Sequence, residues 1–259
     1  MPKPRTYQTE AVIIKKTKLR EADVIFTLFT PHLGKIQAFA KSVRKTRSKM
    51  AGHLELLTHS QVSLARGRNL DTIIGSQTIN SFLPLKSDLW LTSCGLYILE
   101  LVNQFTADSV ENLSLFQLLL ATLEQLGKAS NRDLTLRYFE LHLLDESGYR
   151  PQLHQCVSCE KSLEPVSNSF SPSAGGMLCP ECAVSHPSSH PLSVNAQKVL
   201  RLLQNSDYGT VDRLKIDEEL GRELERVLGS YLKHLLEREV KSAAWLDTLR
   251  EQIKYNPTR

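Results

Sequence analysis

Asp23-Val-Ile-Phe-Thr-Leu-Phe-Thr-Pro31-His-Leu-Gly34-Lys-Ile-Gln-Ala-Phe-Ala-Lys41 reads as a strand, a turn and a second strand. Val24, Ile25, Phe26, Leu28 and Phe29 form a β-rich apolar run, and Pro31-His-Leu-Gly34 breaks it. Ile36, Ala38 and Ala40 then alternate with Lys35, Gln37 and Lys41. Outward from this hairpin, Thr9–Lys16 carries Ala-Val-Ile-Ile, and after a polar stretch Glu55–Arg66 and Leu70–Ile79 follow, joined by Gly67-Arg-Asn69. Five short β segments in about 80 residues, with a long third-to-fourth connection, suit a small closed barrel. An OB-fold leads; periodicity alone leaves an SH3-like barrel and an open sheet as alternatives.

Pro84 marks a change of regime. Leu89–Phe105, Leu113–Leu126 and Leu134–Leu144 repeat apolar residues at spacings of three and four, punctuated by Gly127, Gly148 and Pro151. Ser193 is a helix N-cap candidate, and helices are expected over about Ile216–Leu236 and Lys241–Tyr255. The expected class is α+β and multidomain: a β-barrel over 1–82, then an α-helical domain over 83–259 with a metal-binding segment inserted at about 152–190.

That segment is marked by Cys156-Val-Ser-Cys159, nineteen intervening residues, and Cys179-Pro-Glu-Cys182. Two such knuckles supply two ligands each on tight turns, the spacing of a four-thiolate zinc site. Four thiolates leave no open coordination position, so one structural Zn²⁺ is expected rather than a catalytic one. Met1 to Lys18 shows no secretory pattern, which favours a reducing cytoplasm and metal over disulfides. His186 and His190 are near enough in sequence to compete as ligands but read as solvated. Cys94, within Leu89–Leu99, reads as a small core residue. The Ser, Pro and Gly around the knuckles suggest a segment with no core of its own that the metal orders.

The 259 residues are 41% hydrophobic and 23% charged, enough to bury sizeable cores. No uncharged apolar run approaches the roughly 18–20 residues of a membrane span. The net charge of +4 conceals an asymmetry: residues 1–80 hold 14 Lys and Arg against 5 Asp and Glu, and the remainder 18 against 23. A positive field gathered in the first third suits a polyanion. It peaks at Lys41-Ser-Val-Arg44-Lys45-Thr-Arg47-Ser-Lys49, five cations in nine residues with no acid between them. Lys35 could join this segment, as could Arg66 and Arg68 from a loop at the other end of the sheet. Phe26, Phe29 and Phe39 sit in apolar strand runs and read as barrel core, with stacking on bases as the alternative for each.

Two enzyme readings fail. His53-Leu-Glu55 imitates the first half of a zinc deaminase motif, but Pro180 lies inside its knuckle rather than before it. Gly34-Lys35 lacks both the upstream glycine and the following hydroxyl of a Walker A loop.

Thr27-Leu-Phe-Thr-Pro-His-Leu-Gly34-Lys35 with Ala40-Lys41-Ser-Val-Arg44-Lys45 resembles the N-terminal OB domain of the RecO family of bacterial recombination mediators. Phe139-Glu-Leu-His-Leu-Leu-Asp-Glu-Ser-Gly148-Tyr149-Arg-Pro151, leading to Cys156 and Cys159, is similar to that family's approach to its zinc site. Phe170-Ser-Pro-Ser-Ala-Gly175-Gly176 and Leu236-Glu-Arg238-Glu-Val-Lys241-Ser242 are similar to later family segments. The resemblance covers nearly the whole chain. It departs twice: Ser42 stands where the basic motif usually has Gly, and Glu160 follows Cys159 where Gly is common.

The resemblance implies a non-enzymatic mediator in the bacterial cytoplasm, associated with the nucleoid. Such a protein binds single- and double-stranded DNA and anneals complementary strands. It associates with RecR and with the acidic C-terminal tail of single-strand binding protein, and so helps load RecA. By motif match, Lys35, Lys41, Arg44 and Lys45 would contact DNA, with Arg47 and Lys49 as neighbours, and Cys156, Cys159, Cys179 and Cys182 would hold the zinc. A tail ending in a carboxylate beside an apolar side chain needs a hydrophobic groove edged by a cation. Arg132 and Arg137, beside the stripe of Leu134, Tyr138 and Leu141, are the candidates. A zinc-ribbon transcription factor is the alternative function.

Overall fold

The computed structural model describes residues 4–19, 21, 23–43 and 50–255, the last three by backbone alone. In chain order these hold β1 (Thr6–Lys18), β2 (Val24–Thr30), β3 (Gly34–Ala40), a 3-10 turn (Ala51–Leu54), β4 (His59–Ala65) and β5 (Asp71–Asn80). Next come α1 (Leu83–Lys86), α2 (Leu89–Phe105), α3 (Leu113–Leu126), α4 (Arg132–Glu146), β6 (Asn168–Ser171), β7 (Gly176–Leu178), α5 (Pro180–Ala183) and β8 (His190–Leu192). α6 (Val194–Asn205), α7 (Tyr208–Arg213), α8 (Glu218–Leu236) and α9 (Lys241–Tyr255) complete the chain. These elements form two compact units, Met1–Gly127 with Lys241–Arg259, and Lys128–Val240.

In the first unit the five strands close in the order β1-β2-β3-β5-β4, which is an OB barrel and neither of its alternatives. The long β1 serves two neighbours, pairing with β4 from Thr6 to Val12 and with β2 from Val12 to Lys18. β3 meets β5 in parallel at Ala38–Asp71 and Phe39–Thr72. Successive side chains on a strand face opposite ways, and the inward set is Ala11, Ile13, Val24, Phe26, Leu28, Ala38, Ala40, Val62, Leu64 and Ile73. Phe29 points outward yet is fully buried, because α3 covers it with Phe116, ring centroids 6.0 Å apart.

α9 returns to α2. The amides of Lys241 and Ser242 donate to the Glu100 carboxylate at 3.2 and 2.8 Å, satisfying donors that a helix start leaves open. Trp245 Nε1 donates to Ser93 Oγ at 3.1 Å, and the Arg250 guanidinium lies 5.2 Å from the Trp90 ring centre. These contacts give the Lys241-Ser242 motif a structural reason.

In the second unit α4 packs against α6, α7 and α8. The residues from 134 to 141 are buried without a break, Arg137 and Glu140 included. Asn131, Ser193, Asp207 and Asp217 cap α4, α6, α7 and α8, each accepting the amide three residues on.

The cysteine segment departs from its expectation. It contains a three-stranded sheet ordered β7-β6-β8, and Leu153, Phe170, Met177, Leu178 and Leu192 are all at most 2% exposed. Phe170 meets Tyr231 of α8 edge to face at 5.5 Å. The segment therefore has apolar anchors of its own, and metal is not the sole source of its order.

Candidate nucleic-acid interface and metal centre

The four predicted ligands converge. Their sulfur atoms all lie within 4.8 Å of one another, and Cys159 Sγ is 3.9 Å from Cys179 Sγ. A tetrahedral ion with Zn–S bonds of about 2.3 Å requires sulfurs about 3.8 Å apart. Among the described residues the cluster is made of these four cysteines, without His186 or His190. Local backbone geometry builds it: the Cys156 amide donates to Lys161 O and the Glu160 amide to Cys156 O, both at 2.9 Å, closing the first knuckle. Cys179 precedes the single turn of α5, where Pro180 fits the first helical position and the Ala183 amide returns to Cys179 O at 3.0 Å.

The electrostatics favour a cation. Burial pushes the Cys156 thiol up, but the amides of Cys159, Cys179 and Ser158 together outweigh it and bring it down to about 6. Against the Ser158 side chain, which favours its thiolate, the sulfurs of Cys179, Cys159 and Cys156 push Cys182 up to about 12. Four thiolates this close need a positive charge among them. The donor set and spacing fit a structural metal.

The departures at Ser42 and Glu160 acquire a meaning. Both residues have positive φ, 52° and 60°, the left-handed region in which a Cβ is strained. Ser42→Gly and Glu160→Gly should each raise stability by roughly 0.5–1.5 kcal/mol by removing that strain. Urea denaturation midpoints check this; a fall in either midpoint would show that the side chain contributes more than the strain costs.

The cationic residues lie less uniformly than their sequence suggests. Arg44, Lys45, Arg47 and Lys49 fall outside the described residues. Lys41 is exposed just beyond β3, where the Ser42 amide donates to Asp23 Oδ1 at 2.8 Å. Lys35 is turned inward, its side chain only 12% exposed. Its Nζ donates to Asn103 O at 2.8 Å and Thr106 O at 2.6 Å, closing the C-terminus of α2, and lies 3.4 Å from Asp108 Oδ1. Arg66 donates to Pro4 O and stacks on Tyr7 at 4.6 Å. Arg68 is exposed. The loop carrying both enters β5 beside Ala38 and Phe39, nearer the basic segment than its place in the chain implies.

Lys15 and Lys18, not singled out from sequence, are exposed at the end of β1. Lys18 pairs with Val24, which pairs with Ala40, so the β1–β2 hairpin and the start of the 41–49 segment share one end of the barrel. The signal was present as Lys15-Lys16-Thr-Lys18-Leu-Arg20 but is masked by the strand pattern. Most acids of this unit's first 80 residues are engaged: Glu10 with His59, Asp23 with the Ser42 amide, Glu55 with Lys16, and Asp71 with the Tyr7 hydroxyl and the Gly67 amide.

Arg132 is exposed at the start of α4, whereas Arg137 is 4% exposed and pairs with Glu140 at 2.8 Å. α4 is covered on all sides at that level, so Arg137 does not edge a surface groove. No helix among the described residues is long and apolar enough to cross a membrane.

The chain is thus a basic OB barrel followed by a helical unit with a four-cysteine cluster, and sequence comparison names the family with this arrangement. The family model for the recombination protein O N terminal matches residues 3–82, and that for its C terminal matches residues 86–244. A Dehalococcoides mccartyi protein named DNA repair protein RecO is 48% identical over 249 residues, 96% of this chain and 98% of its own length. Proteins of the same name from Roseiflexus sp. (strain RS-1) and Symbiobacterium thermophilum are 42% and 32% identical, over 96% and 94% of this chain and 88% and 98% of their own lengths. The chain belongs to the RecO family of DNA repair proteins.

Proposed function

We propose that this chain is a recombination mediator. It binds single- and double-stranded DNA, anneals complementary strands and, with RecR, helps load RecA onto DNA coated by single-strand binding protein. The observation that carries the reading is the concentration of exposed cations on a barrel whose acids are mostly engaged. Residues 1–82 form the nucleic-acid-binding domain, with Lys41, Arg44, Lys45, Arg47 and Lys49 as the main phosphate contacts, Arg66 and Arg68 beside them, and Lys15 and Lys18 added from the hairpin. Lys35 supports this surface by fixing the β2–β3 turn. One zinc on Cys156, Cys159, Cys179 and Cys182 holds the knuckles, and no catalytic step is assigned to it. Of the two arginines considered for the acidic tail, the exposed Arg132 is the accessible one. The protein works at the nucleoid, in the cytoplasm.

Arg44→Ala with Lys45→Ala should weaken single-strand binding equally across sequences and flatten the dependence of log K on log salt by roughly 0.7 per lost contact. An unchanged slope would remove this segment from the interface. Strand annealing on DNA precoated with single-strand binding protein tests the mediator role; a strong preference for one duplex sequence would favour a zinc-ribbon transcription factor instead.

A further inference from the structure

We infer that a polar cleft in the second unit, between residues 150–163 and α6, binds the terminal phosphate of a nucleotide through Arg201. The site lies outside the barrel and stands independently of the DNA surface proposed above. The cleft has a volume of about 680 Å³. Arg150, Gln152, His154 and Gln155 line one side and Arg201 and Gln204 the other, and none of its lining residues is an acid.

Arg201 is the anomaly. Half-buried on α6, it donates from Nε to Leu153 O at 2.8 Å, which fixes the plane of its guanidinium. Among the described residues its Nη2 is buried with no hydrogen-bond partner, and no ion pair engages it. A buried donor without an acceptor, on a group that is always charged, is costly. An anion seated in the cleft would supply the acceptor and the counter-charge together. Arg150 differs: it pairs with Asp145 and its Nη2 donates to Asn205 Oδ1 at 3.1 Å, so its charge is already met. Both walls are held by their own bonds. Gln204, 5% exposed, donates from Nε2 to Pro151 O at 3.0 Å, and the His154 amide donates to Gln152 Oε1 at 3.0 Å.

Guanidinium, imidazole and amide groups on two walls suit a tetrahedral oxyanion, whose oxygens point toward both. A peptide carboxylate would need an apolar wall for its terminal side chain, and only Pro151 and Leu163 are apolar here. A bare phosphate leaves most of the space unfilled. The exposed side-chain amides of Gln152 and Gln155 both donate and accept, which suits sugar hydroxyls and base edges. The ligand class is therefore a nucleoside with a terminal phosphate, either free or at the end of a strand.

The test uses the full chain and two pairs of probes: thymidine 5′-monophosphate against thymidine, and an oligothymidylate with a 5′-phosphate against the same strand with a 5′-hydroxyl. Wild type should prefer the phosphorylated member of at least one pair by roughly 10- to 150-fold, the range for one hydrogen bond to a charged group. Preference in the first pair alone identifies a free nucleotide as the ligand; preference in the second identifies a strand end. Arg201→Gln, which keeps a donor for Leu153 O, should erase the preference. His154→Gln, an exposed change that leaves the fold intact, should reduce it. Lys198→Gln removes the same charge one turn earlier on α6, outside the cleft, and should leave the preference unchanged. Wild type showing no preference in either pair, or Arg201→Gln keeping it in full, would overturn the site. An equal loss in Lys198→Gln would also overturn it, leaving only the general field of α6.

Discussion

Gly34→Ala is expected to destabilise the unit formed by Met1–Gly127 and Lys241–Arg259 by roughly 2–5 kcal/mol, combining left-handed backbone strain with overpacking. Gly34 has φ +62°, and a Cβ there would lie 2.0 Å from the carbonyl oxygen of Val110 and 2.8 Å from its nitrogen. Backbone on both sides leaves nothing flexible to move aside. The close approach is part of a latch: the Ser109 amide donates to Lys35 O at 2.9 Å, Lys35 Nζ closes α2, and His32 Nδ1 lies 2.9 Å from Glu111 Oε1. Both tryptophans of the chain, Trp90 and Trp245, lie in this unit, so their fluorescence during urea unfolding reports on it directly. Gly52→Ala, where a Cβ meets nothing within 4 Å, is the control and should be near neutral. In the same melts Lys35→Met should cost less than Gly34→Ala, in the same direction, and its salt slope for DNA should match wild type. A Gly34→Ala midpoint equal to that of Gly52→Ala would mean that the turn and the α2–α3 connection separate at no cost.

Elements whose signals are local were legible in the sequence. α2, α3 and α9 begin and end where apolar periodicity and flanking punctuation place them, because cap residues and spacings of three and four act within a single turn. α4 is extended by two residues at each end, to Arg132 and Glu146, since Asn131 caps it ahead of the apolar pattern. The strands of the barrel were found, but the fourth starts at His59 rather than Glu55. Ala51–Leu54 forms a 3-10 turn ahead of it, and Thr58 O takes the Ile13 amide. What was hidden depends on partners distant in the chain. Lys35 reads as a surface cation beside a turn, yet its acceptors are 68 and 71 residues away. Arg137 reads as the border of a stripe, yet α4 is surrounded. β6, β7 and β8, of three or four residues each, are too short for alternation to register. The cysteine cluster was readable because each knuckle supplies two ligands by local geometry, leaving only the convergence of the pairs to the fold.

Cys159→Ser is expected to abolish stoichiometric zinc, about one ion per chain in wild type, and to release the knuckles without dissolving the sheet between them. A hydroxyl is a poor substitute for a thiolate, and structural zinc contributes folding free energy of about 10–16 kcal/mol in isolated zinc-finger peptides. Here that energy does not act alone. Phe170, Met177, Leu178 and Leu192 are completely buried, each contributing roughly 1.5–3 kcal/mol through burial. Asn168 Nδ2 donates to Gln197 Oε1 at 2.8 Å, and Gln197 Nε2 donates to Leu192 O at 3.0 Å, tying β6 and β8 to α6. Hydrogen exchange should therefore rise sharply at 155–163 and 179–186 in Cys159→Ser, or in wild type stripped by a chelator, while Asn168–Ser171 stays protected. The two knuckles would rely on the ion because, beyond turn hydrogen bonds and the Val157 amide's bond to Met177 O at 2.9 Å, their fixed points are the sulfurs. Exchange spreading through β6 as well would mean that the apolar anchors cannot hold the sheet without metal. Metal analysis finding no zinc in wild type, with all four thiols titrating freely in the folded protein, would remove the ion from the account and leave the cysteines as packing alone.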